Sequence, residues 1–214
     1  MGRIEKGFNG GFKGKVGKIV GSSWRELDYI RSVPKRSSVP ATTKQLIQQA
    51  KFALAVRFLQ PFKEILNIGY QNQNSGRSTG YNMALRETLY TAVSGEFPNL
   101  SLDYSKIIIS KGGLAKPEGL QFVSNQPEEL IFTWLPRSND LNARASDKAI
   151  ILMFNAGKET YSESFAEVTR MDGECMVSMP AIYSGDVMHA YFFFVSEKGD
   201  RCSESVYAGQ ATVA

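Results

Sequence analysis

The feature that most limits what this chain can fold into is the spacing of apolar runs in its second half. From about residue 114, seven short runs follow one another every ten to fifteen residues: EGLQFVS, EELIFTWLP, KAIILMFNA, SFAEVTRM, ECMVSMPA, VMHAYFFFVS and SESVYAGQATVA. Turn-forming clusters separate them, at Asn125–Gln126–Pro127, Asp172–Gly173, Ser184–Gly185–Asp186 and Lys198–Gly199–Asp200. Short strands at this spacing predict a two-sheet sandwich. One run adds a demand of its own. Tyr191–Phe192–Phe193–Phe194 puts two rings on each face of a strand. One face enters the sandwich core. The other exposes rings unless a partner or another part of the same chain covers it.

The preceding residues follow other periods. Over the first forty, KVGKIVG and SSWRELDYIRSV read as short strands, with Gly21, Ser22 and Ser23 as the expected connection between them. Pro34 and Pro40 bracket a loop. Thr42 or Thr43 then caps a helix whose apolar residues Leu46, Ile47, Ala50, Ala53, Leu54 and Phe58 recur at helical spacing. Pro61 kinks this helix or splits it into 43–60 and 61–68, and Gly69 ends it. After the polar loop QNQNSGRSTG, a further helix is expected over 80–94, closed by Gly95. DYSKIIIS reads as a strand and KGGLAKPEG as a linker. Three regions result: a Gly-rich basic arm and β-hairpin over 1–41, a helical region with a strand over 42–112, and the sandwich over 113–214.

Charge is distributed unevenly. Residues 1–60 hold twelve Lys/Arg against three Asp/Glu, a net of +9, whereas residues 110–214 hold nine against fourteen, a net of −5. This asymmetry predicts a basic segment that meets an acidic partner, either nucleic acid or the acidic end of a neighbouring copy. No apolar run is long enough to cross a bilayer, and the start MGRIEKGFNGG lacks the apolar stretch of an ordinary secretory signal. Cys175 and Cys202 are expected as free thiols of a reducing compartment, with a bridge only if they fall on neighbouring strands.

The basic segment centres on GFNGGFKGKVGKIVGSSW, residues 7–24, which contains no acid. A phosphate-binding loop needs glycines leading into Lys-Ser/Thr at a helix start. Here the glycines are spaced differently and strand-like residues follow. A purely solvating tail is a poor fit too, because Phe8, Phe12, Val16, Ile19 and Val20 are interleaved. The expected role is an arm that orders against another surface. Its candidate partner-binding residues are Phe8, Phe12, Lys13, Lys15, Trp24, Arg25, Arg31 and Arg36. Basic residues interleaved with aromatics also suit single-stranded nucleic acid, the second reading.

Catalytic patterns are missing. His189 is the sole histidine, no G-x-S-x-G occurs, and neither cysteine belongs to a C-x-x-C pair. Glu128–Glu129 and Glu159–Glu163 fall in expected turns and edges, where acids serve solubility. No catalytic residue, metal ligand or cofactor is expected.

Two resemblances extend these readings. The C-terminal half resembles a fibronectin type III domain, through Pro117, the LIFTWLP strand with Trp134, the HAYFFFVSEKG strand with Tyr191, and the closing SESVYAG. The resemblance implies that Trp134 and Tyr191 are core residues. It completes the expected fold class: an α+β N-terminal region of short strands and two or three helices, followed by an all-β, fibronectin III/Ig-like sandwich. The chain as a whole resembles an uncharacterised Bacteroidota family through GGFKGKVGKIVGSSWRELDYIRSVP, TTKQLIQQAKF and FLQPF. An echo of small phage-encoded proteins implies a virion or assembly role. The expectation is a non-enzymatic structural or interaction protein, cytoplasmic or virion-associated. Its expected partner is a further copy or another structural protein, with nucleic acid as the alternative.

Overall fold

A computed structural model describes residues 2–3, 12–24, 27–35, 39–73, 78–126 and 128–214. It divides into two compact units, Met1–Thr42 and Thr43–Ala214.

The first unit is a four-stranded antiparallel sheet. Its strands are β1 (Gly2–Arg3), β2 (Gly14–Val16), β3 (Ile19–Trp24) and β4 (Leu27–Ser32), in the order β1-β4-β3-β2. The hairpin between β2 and β3 turns at Gly17–Lys18, where Gly17 adopts φ +61°, a backbone that favours glycine. The turn expected at Gly21–Ser23 is therefore a strand interior. Glycine stands at 21 for a different reason: a Cβ there would come within 2.2 Å of the Phe12 carbonyl oxygen and 2.7 Å of its ring. Phe12 lies against the bare backbone of β3.

The second unit has three layers. The helices are α1 (Thr43–Leu59), α2 (Lys63–Gly69) and α3 (Gly80–Thr91). Pro61 sits in a 3-10 turn, Gln60–Phe62, so the break expected there is a one-turn change of pitch between α1 and α2. Thr79 caps α3 by accepting from the Asn82 amide at 3.2 Å. That helix ends at Thr91, because Val93 already belongs to a hairpin, β5 (Val93–Glu96) with β6 (Asn99–Leu102). Gly95, expected as the helix stop, lies in β5 with φ +87°.

The expected strand DYSKIIIS is a 3-10 turn, Tyr104–Lys106, capped by Asp103 and followed by an extended strap. No strand partners the strap among the described residues. The Ser205 hydroxyl accepts from the Ile109 amide at 2.9 Å, and Ile107 and Ile109 enter the core.

The remaining strands are β7 (Gln121–Gln126), β8 (Glu129–Thr133), β9 (Lys148–Asn155), β10 (Thr160–Thr169), β11 (Glu174–Ser178), β12 (Val187–Val195) and β13 (Val206–Thr212). They form two antiparallel sheets ordered β10-β9-β12-β13 and β11-β8-β7, the fibronectin III-like sandwich expected of this half. Trp134 and Tyr191 are both buried, as that resemblance implied.

Alternation along β9 and β12 sets the layering. Ala149, Ile151 and Met153 of β9 join Ala190, Phe192 and Phe194 of β12 in the core between the sheets, with Phe122, Leu130, Phe132 and Trp134. The intervening residues Ile150, Leu152, Phe154, Tyr191, Phe193 and Val195 point the other way. They pack with Phe58, Leu59, Phe62, Ile65 and Leu66 of the helical layer. The chain's own helices thus cover the second ring face of Tyr191–Phe194. Six side chains of this size contribute on the order of 10 kcal/mol by burial, comparable with the whole stability of an ordinary domain, about 5–15 kcal/mol. The helical region and the sandwich, separated at residue 112 by sequence pattern, form one compact unit because they share this core.

Candidate interaction surface

The N-terminal sheet brings some of the candidate residues together. Antiparallel partners share a face, and neighbours along a strand alternate between faces. Lys15 pairs with Val20 and Val20 with Arg31, giving one row across three strands. Ser22 with Tyr29, and Trp24 with Leu27, continue the same face. Lys15 and Arg31 stand two strands apart, about 10 Å at the usual strand spacing. Both are exposed, Trp24 is 47% exposed and Leu27 46%. No acidic residue falls on this face among the described residues; Asp28 pairs with Ser23 on the other side.

That opposite face holds Val16, Ile19, Ile30 and Ser32, with Phe12 over Gly21. Lys15, Trp24 and Arg31 are therefore united, while Phe12 is a structural plug on the reverse side. Lys13 is exposed and lies just before β2. Phe8, Arg25 and Arg36 lie outside the described residues. Val20, Leu27 and Tyr29 belong to the face and were not among the expected site residues. Their signal was the two-residue alternation about Gly17–Lys18, hidden by placing the turn at Gly21.

This sheet has almost no interior. Gly21 is the sole fully buried residue among the described residues of the first unit. Val16 is 60% exposed and Ile19 40%. A single sheet layer needs a second layer against its apolar side chains to be stable.

The histidine, Tyr191 and both cysteines of the second unit are taken up by packing. His189 Nδ1 lies 2.7 Å from the Tyr207 hydroxyl, and its ring centre lies 4.4 Å from that of Tyr104, tilted by 34°. Burial lowers its pKa, so the ring is neutral near pH 7. Tyr191 donates to the Tyr104 carbonyl at 2.8 Å, and its hydroxyl is driven strongly upward, first by burial. Cys175 lies in the core between the sheets, and Cys202 in the core under the helices, where its thiol donates to the Gly69 carbonyl at 3.0 Å. Both are free and both have raised pKa values, Cys202 to about 11, with burial as the main cause. Glu159 pairs with Arg57. No cluster of three or more His, Cys, Asp or Glu able to hold a metal occurs among the described residues. No described helix is long and apolar enough to cross a membrane.

Architecture and surface together define a helix-backed, fibronectin III-like sandwich preceded by a small basic sheet. The model of DUF6266, a family of unknown function, matches residues 11–209, and the chain belongs to that family. Among solved structures it is similar to the fn3 domain of human collagen alpha-1(XX) chain, at 16% identity and TM-score 0.37, covering 48% of this chain and 88% of that one. It is also similar to the FN1-FN3 domains of chicken CNTN1, at 10% identity and TM-score 0.40, covering 49% of this chain and 35% of that one. No curated protein matches.

Proposed function

We propose that this protein is a non-enzymatic structural or interaction protein that docks to an acidic surface, of another copy or of another structural protein, through its N-terminal sheet. The role is that of an assembly component of filament or virion type. One observation carries the reading: a sheet presents Lys15 and Arg31 beside Tyr29, Trp24 and Leu27 on one face, and Gly21 is the one buried residue among the described residues of its unit. Rings supply the contact area and the two cations supply orientation and encounter rate. The contact surface is then a preformed sheet, which loses less conformational entropy on docking than a flexible arm.

The test is the full chain carrying Lys15→Glu and Arg31→Glu, compared with wild type by light scattering over a range of concentrations. A smaller mass for the variant supports docking between copies. An unchanged mass, or monomers in both cases, overturns that form of it.

A second reading is single-stranded nucleic acid, favoured by the placement of Tyr29 and Trp24 on the same face as the two cations. It predicts binding of a labelled oligothymidine that weakens steeply with salt, through counterion release. Flat anisotropy at low salt removes it.

A further inference from the structure

The helical layer and the three-stranded sheet are the two outer layers of Thr43–Ala214, and they carry apolar surfaces of opposite charge. An open groove of about 440 Å³ runs between α1 and α3. Leu85, Leu89, Phe52 and Tyr90 give it an apolar lining, with Phe52 49% exposed and Tyr90 85%. Lys51 and Arg86 are the charged residues of that lining, and neither forms an ion pair among the described residues. Helix α1 contains no acid in its 17 residues. The groove's positive charge therefore has no counter-charge along that helix.

The outer face of β7, β8 and β11 is its complement. Val123, Ile131 and Met176 form one cross-strand row, with Met176 66% exposed and Val123 40%. Alternation puts Glu174 on the same face, two residues from Met176. It puts Glu129 there too, two residues from Ile131 on the other side of the row. Neither glutamate has an ion-pair partner among the described residues.

We infer that the α1–α3 groove of one copy receives the outer β7–β8–β11 face of the next. Met176 and its row meet Phe52 and Tyr90, and Glu129 and Glu174 meet Lys51 and Arg86. The two surfaces differ, so the contact is head-to-tail. It propagates as an open filament or closes as a ring, and it does not stop at a two-fold dimer. It does not involve the N-terminal sheet and stands independently of the docking proposed for that sheet.

Charge reversal in the full chain tests it. Wild-type mass, followed by sedimentation velocity, is expected to climb with concentration without a plateau at two copies, and to fall with salt. Lys51→Glu with Arg86→Glu makes both surfaces acidic. Glu129→Lys with Glu174→Lys makes both basic. Each double variant is expected to associate about tenfold or more weakly, because like charges are then juxtaposed. An equimolar mixture of the two restores assembly, since each then offers the complement the other needs. The chain with all four reversals also reassembles, which a folding defect would not allow. A wild type that stays monomeric, a plateau at a dimer, or a mixture no larger than its components overturns the inference. Rescue by mixing reports this contact alone, and the Lys15→Glu/Arg31→Glu chain reports the N-terminal sheet separately.

Discussion

The guanidinium of Arg170 lies 3.8 Å over the centre of the Phe194 ring, inside the sandwich. The same group reaches Asp147 Oδ2 at 3.1 Å and the Ala115 carbonyl at 3.0 Å, and Trp134 donates its indole N–H to the Arg170 carbonyl at 2.8 Å. Both charged side chains are almost wholly buried, at 4% and 1% exposure. A buried pair of this kind is costly to break from one side. Arg170→Met is expected to destabilise the protein by about 3–5 kcal/mol, because Asp147 stays buried without its counter-charge. Adding Asp147→Leu is expected to recover much of that loss. Urea midpoints, with the slope unchanged, check both.

Gly112 and Gly113 make a matched pair. A Cβ at Gly112 would fall 2.0 Å from the Cys202 carbonyl oxygen, whereas one at Gly113 meets nothing within 4 Å. Gly112→Ala is expected to cost about 1–3 kcal/mol, since backbone must shift. Gly113→Ala is expected to be neutral or slightly stabilising, through a less flexible unfolded chain. Thermal midpoints of the two variants should separate clearly.

Thiol chemistry should report folding. Reactivity requires the thiolate, and burial raises both cysteine pKa values, Cys202 to about 11. The native protein at pH 7.5, about the usual assay value, is expected to resist an aromatic disulfide reagent at both positions. Two thiols should react on unfolding in urea. Rapid native labelling of either would contradict the packing described.

Acidification should act through His189 before the carboxylates. Its folded pKa lies below the ordinary 6.5, because its site between Tyr104 and Tyr207 is shielded from water. The unfolded chain then binds the proton more readily, so this contribution to stability is complete above pH 6.5. It is lost progressively as pH falls from there toward the folded value. Asp103, Asp186 and Asp200 have lowered pKa values through hydrogen bonds and nearby cations, and Asp172 through hydrogen bonds from Thr169, so their contribution disappears only below their ordinary value of 3.8. Denaturation midpoints measured from pH 8 to 3 should show two declines, a span set by these ordinary values. The first decline should be absent in His189→Gln.

The sandwich was readable because period-two patterns and glycine turns are local. The turns at Asp172–Gly173, Ser184–Gly185 and Lys198–Gly199 each carry a glycine at positive φ. The β5–β6 hairpin was hidden by Val93 and Gly95, which continue or stop a helix equally well on paper. Ile107–Ser110 looks like a strand because its isoleucines are core residues, yet its backbone bonds to the hydroxyl and amide of Ser205 and to the Tyr70 hydroxyl, groups distant in sequence, in place of a strand ladder. Of the candidate surface, the cations were visible by composition. Their common face was not, because it depends on where one hairpin turns, and Gly21 mimicked that turn. Only the contact with Phe12 explains the glycine there.

The helices that back the β10-β9-β12-β13 sheet also bear on inheritance. Sandwich modules can be duplicated or moved between genes when both outer sides tolerate water. A transplanted copy of residues 113–214 would take Leu152, Phe154, Tyr191 and Phe193 into its new host as a bare greasy wall. Gene shuffling must therefore carry the preceding seventy residues along, or leave the sandwich where it is.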